Sequence, residues 1–275
     1  MAHLVCMRKI LALATLCLVT VIAVPVARAN PYADMVRAEV LSGWRTPDGQ
    51  HVAALRLVLA DGWKTYWRAP GDAGIPPVFD WSGSGNMADV TPVWPTPVVF
   101  WQNGMRSIGY KRELILPLKI APQRAGRAVD LQAHVQLGIC QDVCVPVDLS
   151  FSARLPDAGR PDPRIVAALA NVPVPGAEAG VAWADCAVSP SQDGLRLTAR
   201  VALPRAAQAT ALVVETADPQ VWVAEPELSH KGEVLTAQTK LMHMDGGSFA
   251  LDRSGLRLTV LGTGQAVDIR GCPAP

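Results

Sequence analysis

Apolar and polar residues alternate with a period of two along most of this chain, in short runs broken by proline and glycine. Between residues 34 and 155 the runs are Val36–Gly43, Val52–Ala60, Trp63–Arg68, Val78–Trp81, Ala88–Val93, Glu113–Ile120, Val129–Ile139 and Val145–Leu155. Turn-forming sequences separate them, among them Pro47-Asp48-Gly49, Ala60-Asp61-Gly62 and Ser82-Gly83-Ser84-Gly85. So many short alternating strands predict an immunoglobulin-like β-sandwich. A weaker series follows at Trp183–Val188, Leu195–Leu203, Ala211–Thr216, Val221–Val223, Val234–Lys240, Gly247–Leu251, Leu256–Leu261 and Val267–Arg270. It predicts a second, smaller β-sandwich, and the fold class is all-β.

Residues 156–180 read differently. Pro156, Pro161, Pro163, Pro173 and Pro175 surround one short helical pattern, Arg164–Ala170, with Asp162 or Pro163 at its start. The expected organisation is a leader over 1–29, a first β-domain over 30–155, a proline-rich linker over 156–180 and a second β-domain over 181–275.

The leader changes the compartment. Arg8 and Lys9 precede an apolar stretch from Ile10 to Val26, and Ala27-Arg28-Ala29 has the form of a cleavage site. Cleavage after Ala29 would deliver the mature chain to the periplasm, whereas an uncleaved anchor is the alternative. Cys17 follows Leu16 rather than a small residue, so a lipid anchor is rejected. The full chain has 25 basic and 24 acidic residues; without Arg8, Lys9 and Arg28 it has 22 against 24. A near-neutral balance gives no reason to expect nucleic acid or an anionic membrane surface as partner.

Four cysteines remain beyond the leader: Cys140, Cys144, Cys186 and Cys272. An even number in an exported chain implies disulfides, and three pairings are possible. Cys140 and Cys144 flank Gln141, Asp142 and Val143 at the tip of a hairpin, which places them opposite each other. Alternation turns Ala133, Val135, Leu137 and Ile139 to one face, and His134, Gln136, Gly138 and Cys140 to the other. The pair is therefore expected on an accessible, polar face, suited to exchange with another protein. A Cys186–Cys272 bridge would tie the ends of the second β-domain. On the chain-entropy model it would stabilise by about 4–5 kcal/mol, against about 2 kcal/mol for the tight 140–144 ring. The long bridge reads as structural and the short one as functional, with crossed pairings left open.

The stretch Gly62-Trp-Lys-Thr-Tyr-Trp-Arg-Ala-Pro-Gly-Asp-Ala-Gly-Ile-Pro-Pro77, then Val93-Trp-Pro, then Gly109-Tyr-Lys-Arg-Glu-Leu-Ile-Leu-Pro117, then the cysteine hairpin, resemble one family in their order. It is the N-terminal periplasmic domain of the thiol:disulfide interchange protein DsbD family, including ScsB-like relatives linked to copper tolerance. The resemblance implies an immunoglobulin-like domain whose cysteine pair, here Cys140 and Cys144, relays reducing equivalents to exported proteins. It also implies a cap loop over the pair, matched here by Phe100, Trp101, Gln102, Asn103 and Gly104, leading through Met105 to Tyr110. Expected partners are periplasmic thioredoxin-like or disulfide isomerase proteins. The cysteine spacing is shorter than in the best-known members. The sequence stops at Pro275 without membrane or thioredoxin-like domains, so a separate membrane-embedded thiol reductase is expected to supply electrons, unless the relay has been lost. The enzyme class implied is protein thiol-disulfide oxidoreductase.

Competing readings attach to the same residues. The hairpin bridge could be an inert staple in a non-catalytic binding or assembly module. Two thiolates at this spacing, or Met242-His243-Met244, could bind copper, but alternation sets His243 opposite both methionines, which favours packing. No metal or cofactor is assigned. His134 lies about 20 Å down the strand from Cys140 and reads as a surface residue. Trp63 and Trp67 read as core. Asp142 and Asp148 disfavour a thiolate and no helix N-terminus is at hand, so the partner is expected to bring the more activated sulfur. No nucleophile elbow, metalloprotease motif or phosphate loop is present.

Overall fold

In the computed structural model, which describes residues 32–72, 74–102 and 104–275, the alternating runs pair into four sheets. The leader and its cleavage site lie outside the described residues. The first sheet has the order β1 (Val36–Arg45), β2 (His51–Leu59), β8 (Glu113–Pro122), β5 (Met87–Pro92). The second has the order β10 (Cys144–Leu155), β9 (Val129–Cys140), β3 (Lys64–Tyr66), β7 (Met105–Lys111), β6 (Val98–Gln102), and β4 (Val78–Asp80) also pairs with β9. Leu55, Leu57, Leu116 and Leu118 of one sheet meet Leu131, Val135, Leu137 and Ile139 of the other in the main core. Trp63 and Trp67 lie in that core too. This is an immunoglobulin-like β-sandwich.

β2 is buried along nearly all its length, because both of its faces are covered. Its second face, Val52 and Ala54, packs with Leu41 against Ile165 of α1 (Pro163–Ala170). Asp162 caps this helix by accepting from the Arg164 amide at 2.9 Å, and Pro163 occupies its first turn. The helix expected in the linker thus completes the first sandwich.

A third sheet orders β11 (Val174–Pro175), β19 (Val267–Arg270), β18 (Arg257–Leu261) and β14 (Ala211–Glu215). The fourth orders β12 (Trp183–Ser191), β13 (Gly194–Ala202), β17 (Val234–His243) and β15 (Val221–Val223), with β16 (Glu227–Lys231) also on β17. These two sheets enclose a second core around Leu197, Leu212, Leu235 and Leu258. The sandwiches also touch each other. Ala211 and Val213 join the main core, and Arg68 donates to both carboxylate oxygens of Glu215 at 2.8 and 2.9 Å.

Several elements differ from the sequence reading, among them β11, which falls within the expected linker yet pairs with β19. β6 and β7 form a hairpin where a cap loop was expected. β16 is an added edge strand; its alternation is mostly polar, and Leu228 is the residue it packs on the core. The run Gly247–Leu251 is irregular rather than a strand: it follows a turn at Met244–Gly246, where the Asp245 carboxylate accepts from the Gly247 amide and Gly246 sits at φ +74°.

Candidate functional site

β9 and β10 pair residue for residue, from Val129 opposite Leu155 to Cys140 opposite Cys144. Gln141, Asp142 and Val143 make the connection, and the two cysteines are joined in a disulfide with Cα atoms 4.2 Å apart. Their side chains leave the sheet on the face away from the main core, as alternation requires. Asp130, Gln132, His134 and Gln136 on that face are exposed. The face changes at the hairpin tip, where Cys140 is fully buried and Cys144 half-buried.

The expectation of an accessible pair is therefore corrected. Tyr66 of β3, Ile75 and Phe100 of β6 gather over the cysteines in a small apolar cluster separate from the main core. Alternation along β9 and β10 gives the side of the sheet; it cannot say what other strands lay across it.

Each cover has a local cause. A Cβ on Gly138 would fall 2.7 Å from Ile75 Cβ and 2.8 Å from the Tyr66 ring, so only glycine leaves room for them. Thr65 Oγ1 donates to the Gly138 carbonyl at 2.9 Å, fixing β3 against β9. Tyr66 then lies 1% exposed with its hydroxyl 2.9 Å from Cys144 Sγ. A disulfide sulfur has no hydrogen, so the hydroxyl donates. Burial raises the Tyr66 pKa, which keeps that donor protonated at neutral pH.

Phe100 is 5% exposed, and the ammonium groups of Lys64 and Lys111 stand 5.6 and 5.9 Å from its ring centroid, within cation–π range. Its neighbour Trp101 points the other way and is 66% exposed. β6 is the edge of its sheet, and the turn to β7 is open: Gly104 has φ +79° and a Cβ there would meet nothing within 4 Å. An edge hairpin with a free turn is drawn from the easily opened end of a fold's local stabilities.

Of the expected cap residues whose side chains are described, Phe100 alone is grouped with the cysteines. Asn103 lies outside the described residues. Tyr110 faces the main core, stacks on Trp94 at 6.5 Å and donates to the Pro95 carbonyl at 2.8 Å. Burial pushes its phenol far above the usual range. Lys64, Tyr66, Ile75 and Lys111 were not singled out from the sequence, although Lys64, Tyr66 and Ile75 fall inside the Gly62–Pro77 stretch quoted above.

The residues away from the hairpin take other parts. His134 is on the surface beside Ser150, at 3.1 Å, and Asp148, at 3.4 Å. Cys186 of β12 is bonded to Cys272, which follows β19; both are buried in the second core. His243 contacts Asp245 and stands 3.6 Å from Asp218, while Met244 is exposed.

Residues 34–156 match the family described as "Thiol:disulfide interchange protein DsbD, N-terminal". They form a DsbD N-terminal-like domain. Among solved structures, the N-terminal periplasmic domain of ScsB from Proteus mirabilis is 24% identical, with a TM-score of 0.66. That alignment covers 90% of this chain and 96% of the other. It thus spans both sandwiches and shows that the arrangement recurs. The N-terminal domain of Neisseria meningitidis DsbD in the reduced form is 18% identical with a TM-score of 0.30, over 48% of this chain and 94% of that one. No curated protein matches. The DsbD N-terminal-like domain therefore contains the whole cysteine hairpin and its cover, whereas Cys186 and Cys272 lie beyond it. Among the described residues no helix is long and apolar enough to cross a membrane.

Proposed function

We propose that this chain is a periplasmic thiol–disulfide exchange protein that passes reducing equivalents to exported protein partners through Cys140 and Cys144. The position of the bond is the observation that carries this reading. It lies outside the main core, beneath Tyr66, Ile75 and Phe100, the last on an edge hairpin, with Cys144 the more exposed partner. A bond placed for stability alone gains little from such a site, since so short a ring contributes only about 2 kcal/mol.

In the reduced protein the Cys144 thiolate attacks a sulfur of the partner's disulfide. A mixed disulfide forms, and the partner's second sulfur leaves as a thiolate. The Cys140 thiolate then attacks Cys144 Sγ, which re-forms the 140–144 bond and releases the partner. Two electrons pass to the partner, whose sulfurs take up two protons. The reverse sequence, driven by the dithiol of a membrane-embedded thiol reductase, regenerates the reduced pair. Phe100 must leave Cys140 in both directions. Fitting partners are periplasmic proteins of thioredoxin-like or disulfide isomerase type, which carry an accessible cysteine pair.

Full burial of Cys140 supports a second reading, in which both disulfides are structural and the chain is a binding module. Trapping separates the two. With an oxidised thioredoxin-like protein, Cys140→Ser should accumulate a mixed disulfide through Cys144, because the resolving sulfur is gone. Absence of that adduct under conditions where the partner reacts with glutathione would favour the binding module.

A further inference from the structure

Cys140, Lys64 and Lys111 form a row across three adjacent strands. Lys64 is the register partner of Cys140 on one side and of Lys111 on the other. Directly opposed residues share a face, with Cβ atoms about 4.5–5.5 Å apart. Two cations therefore start from the same face as the sulfurs, and both end near the Phe100 ring that covers them, at 5.6 and 5.9 Å.

We propose that Lys64 and Lys111 are positioning residues that stabilise the thiolate of the reduced Cys140–Cys144 pair, and that the closed cap holds them on Phe100 instead. The proposal rests on the exchange reading above. With the disulfide intact the sulfurs carry no charge, and the ring face is the better site for the ammonium groups. Reduction and withdrawal of Phe100 reverse that preference: the ring departs and an anion appears on the same face. The lysines supply what a hairpin lacks, a positive field in place of a helix N-terminus. This revises the sequence-based expectation that the surroundings of the pair, with Asp142 and Asp148 nearby, disfavour a thiolate.

Other groups around the sulfurs do not replace them. Tyr66 on β3 is neutral and donates to Cys144. Asp61, in the turn before β3, and Asp142, in the hairpin loop, oppose the effect, but both are exposed and screened by solvent and salt. The loop bearing Ile75 carries Asp72, which is exposed and acts on Arg106. His134 and Asp148 lie farther down the same face and interact with each other.

The test is the pH dependence of alkylation in the full-length mature protein. After phosphine reduction, iodoacetamide labelling at Cys140 and Cys144 is resolved by peptide mass spectrometry, with buried Cys186 and Cys272 as internal reference. In K64Q/K111Q the midpoint of the more acidic thiol should rise by about one pH unit, the lower end of what an adjacent opposite charge produces. K64R/K111R should restore it. A loosened cap by itself would raise the limiting rate and leave the midpoint where it was. An unchanged midpoint in the glutamine variant, or a rise that arginine does not reverse, would overturn the proposal. Should the double variant fail to fold, K111Q at the exposed position decides alone by the same criterion. Phosphine reduces the bond whatever its potential, so the lysine effect and the exchange function can fail separately.

Discussion

The Tyr66 hydroxyl donates to Cys144 Sγ across 2.9 Å, a contact that depends on the missing side chain of Gly138. The ring crosses β9 where any Cβ would collide with it, so the donor and the glycine work as one unit. Tyr66→Phe removes the hydrogen bond and keeps the ring. It should cost about 1 kcal/mol, read as a small fall in Tm. Gly138→Ala should cost more, about 1–3 kcal/mol, because the methyl must displace Ile75 or Tyr66. A chemical denaturation curve for each variant checks the order; equal effects would contradict this packing.

Phe100→Ala should uncover Cys140. Reduction of the 140–144 bond by dithiothreitol is then expected to speed up by about tenfold or more, equivalent to about 1.4 kcal/mol of the barrier. Trp101→Ala, whose side chain is 66% exposed and faces away, should leave that rate within about twofold. Thiol trapping over time measures both, and a similar rate in wild type and Phe100→Ala would deny Phe100 its part as a cover.

Removing the two disulfides should have unequal consequences. Cys186→Ala/Cys272→Ala opens a closure of 86 residues and should lose about 4–5 kcal/mol on the chain-entropy model. Cys140→Ala/Cys144→Ala opens a closure of 4 residues and should lose about 2 kcal/mol. Equilibrium unfolding in guanidinium reads the difference directly.

His51 should make the fold sensitive to mild acid. The side chain is fully buried, and Nε2 donates to the Ser42 carbonyl, while Nδ1 has no partner among the described residues. Burial is the main cause that lowers its pKa, with the Ser42 hydrogen bond acting the other way, Arg45 assisting and Asp157 opposing. The folded pKa thus lies below that of the unfolded chain, so below about pH 6.5 the unfolded state binds the extra proton. The neutral-His contribution is complete above that pH and falls as pH drops towards the folded pKa. Tm measured between pH 7.5 and 5 should decline, and His51→Gln should flatten that part of the curve.

Much of the fold could be read in the alternation of residues. The β9–β10 register followed from two alternating runs and a three-residue gap, and the helix start from Asp162-Pro163. The cap hairpin was not read, although Asn103-Gly104 between Val98-Val99-Phe100-Trp101 and Arg106–Tyr110 is a strong hairpin signal. The resemblance implies a loop for its aromatic residues, whereas Phe100 pairs with Ser107 and Trp101 with Arg106. The cover over the cysteines was illegible for a different reason. Tyr66, Ile75 and Phe100 reach Cys140 from three segments, and no local spacing encodes where such segments cross. Tyr110 shows the converse. It follows the cap in sequence, yet the strand period turns it into the core.

The most direct measurement is the reduction potential of the Cys140–Cys144 bond in the purified protein, by thiol trapping across a glutathione or dithiothreitol series. An exchange-active bond should equilibrate above about −300 mV while Cys186–Cys272 stays oxidised. A value well below −300 mV would make the hairpin bond structural and would contradict the exchange function.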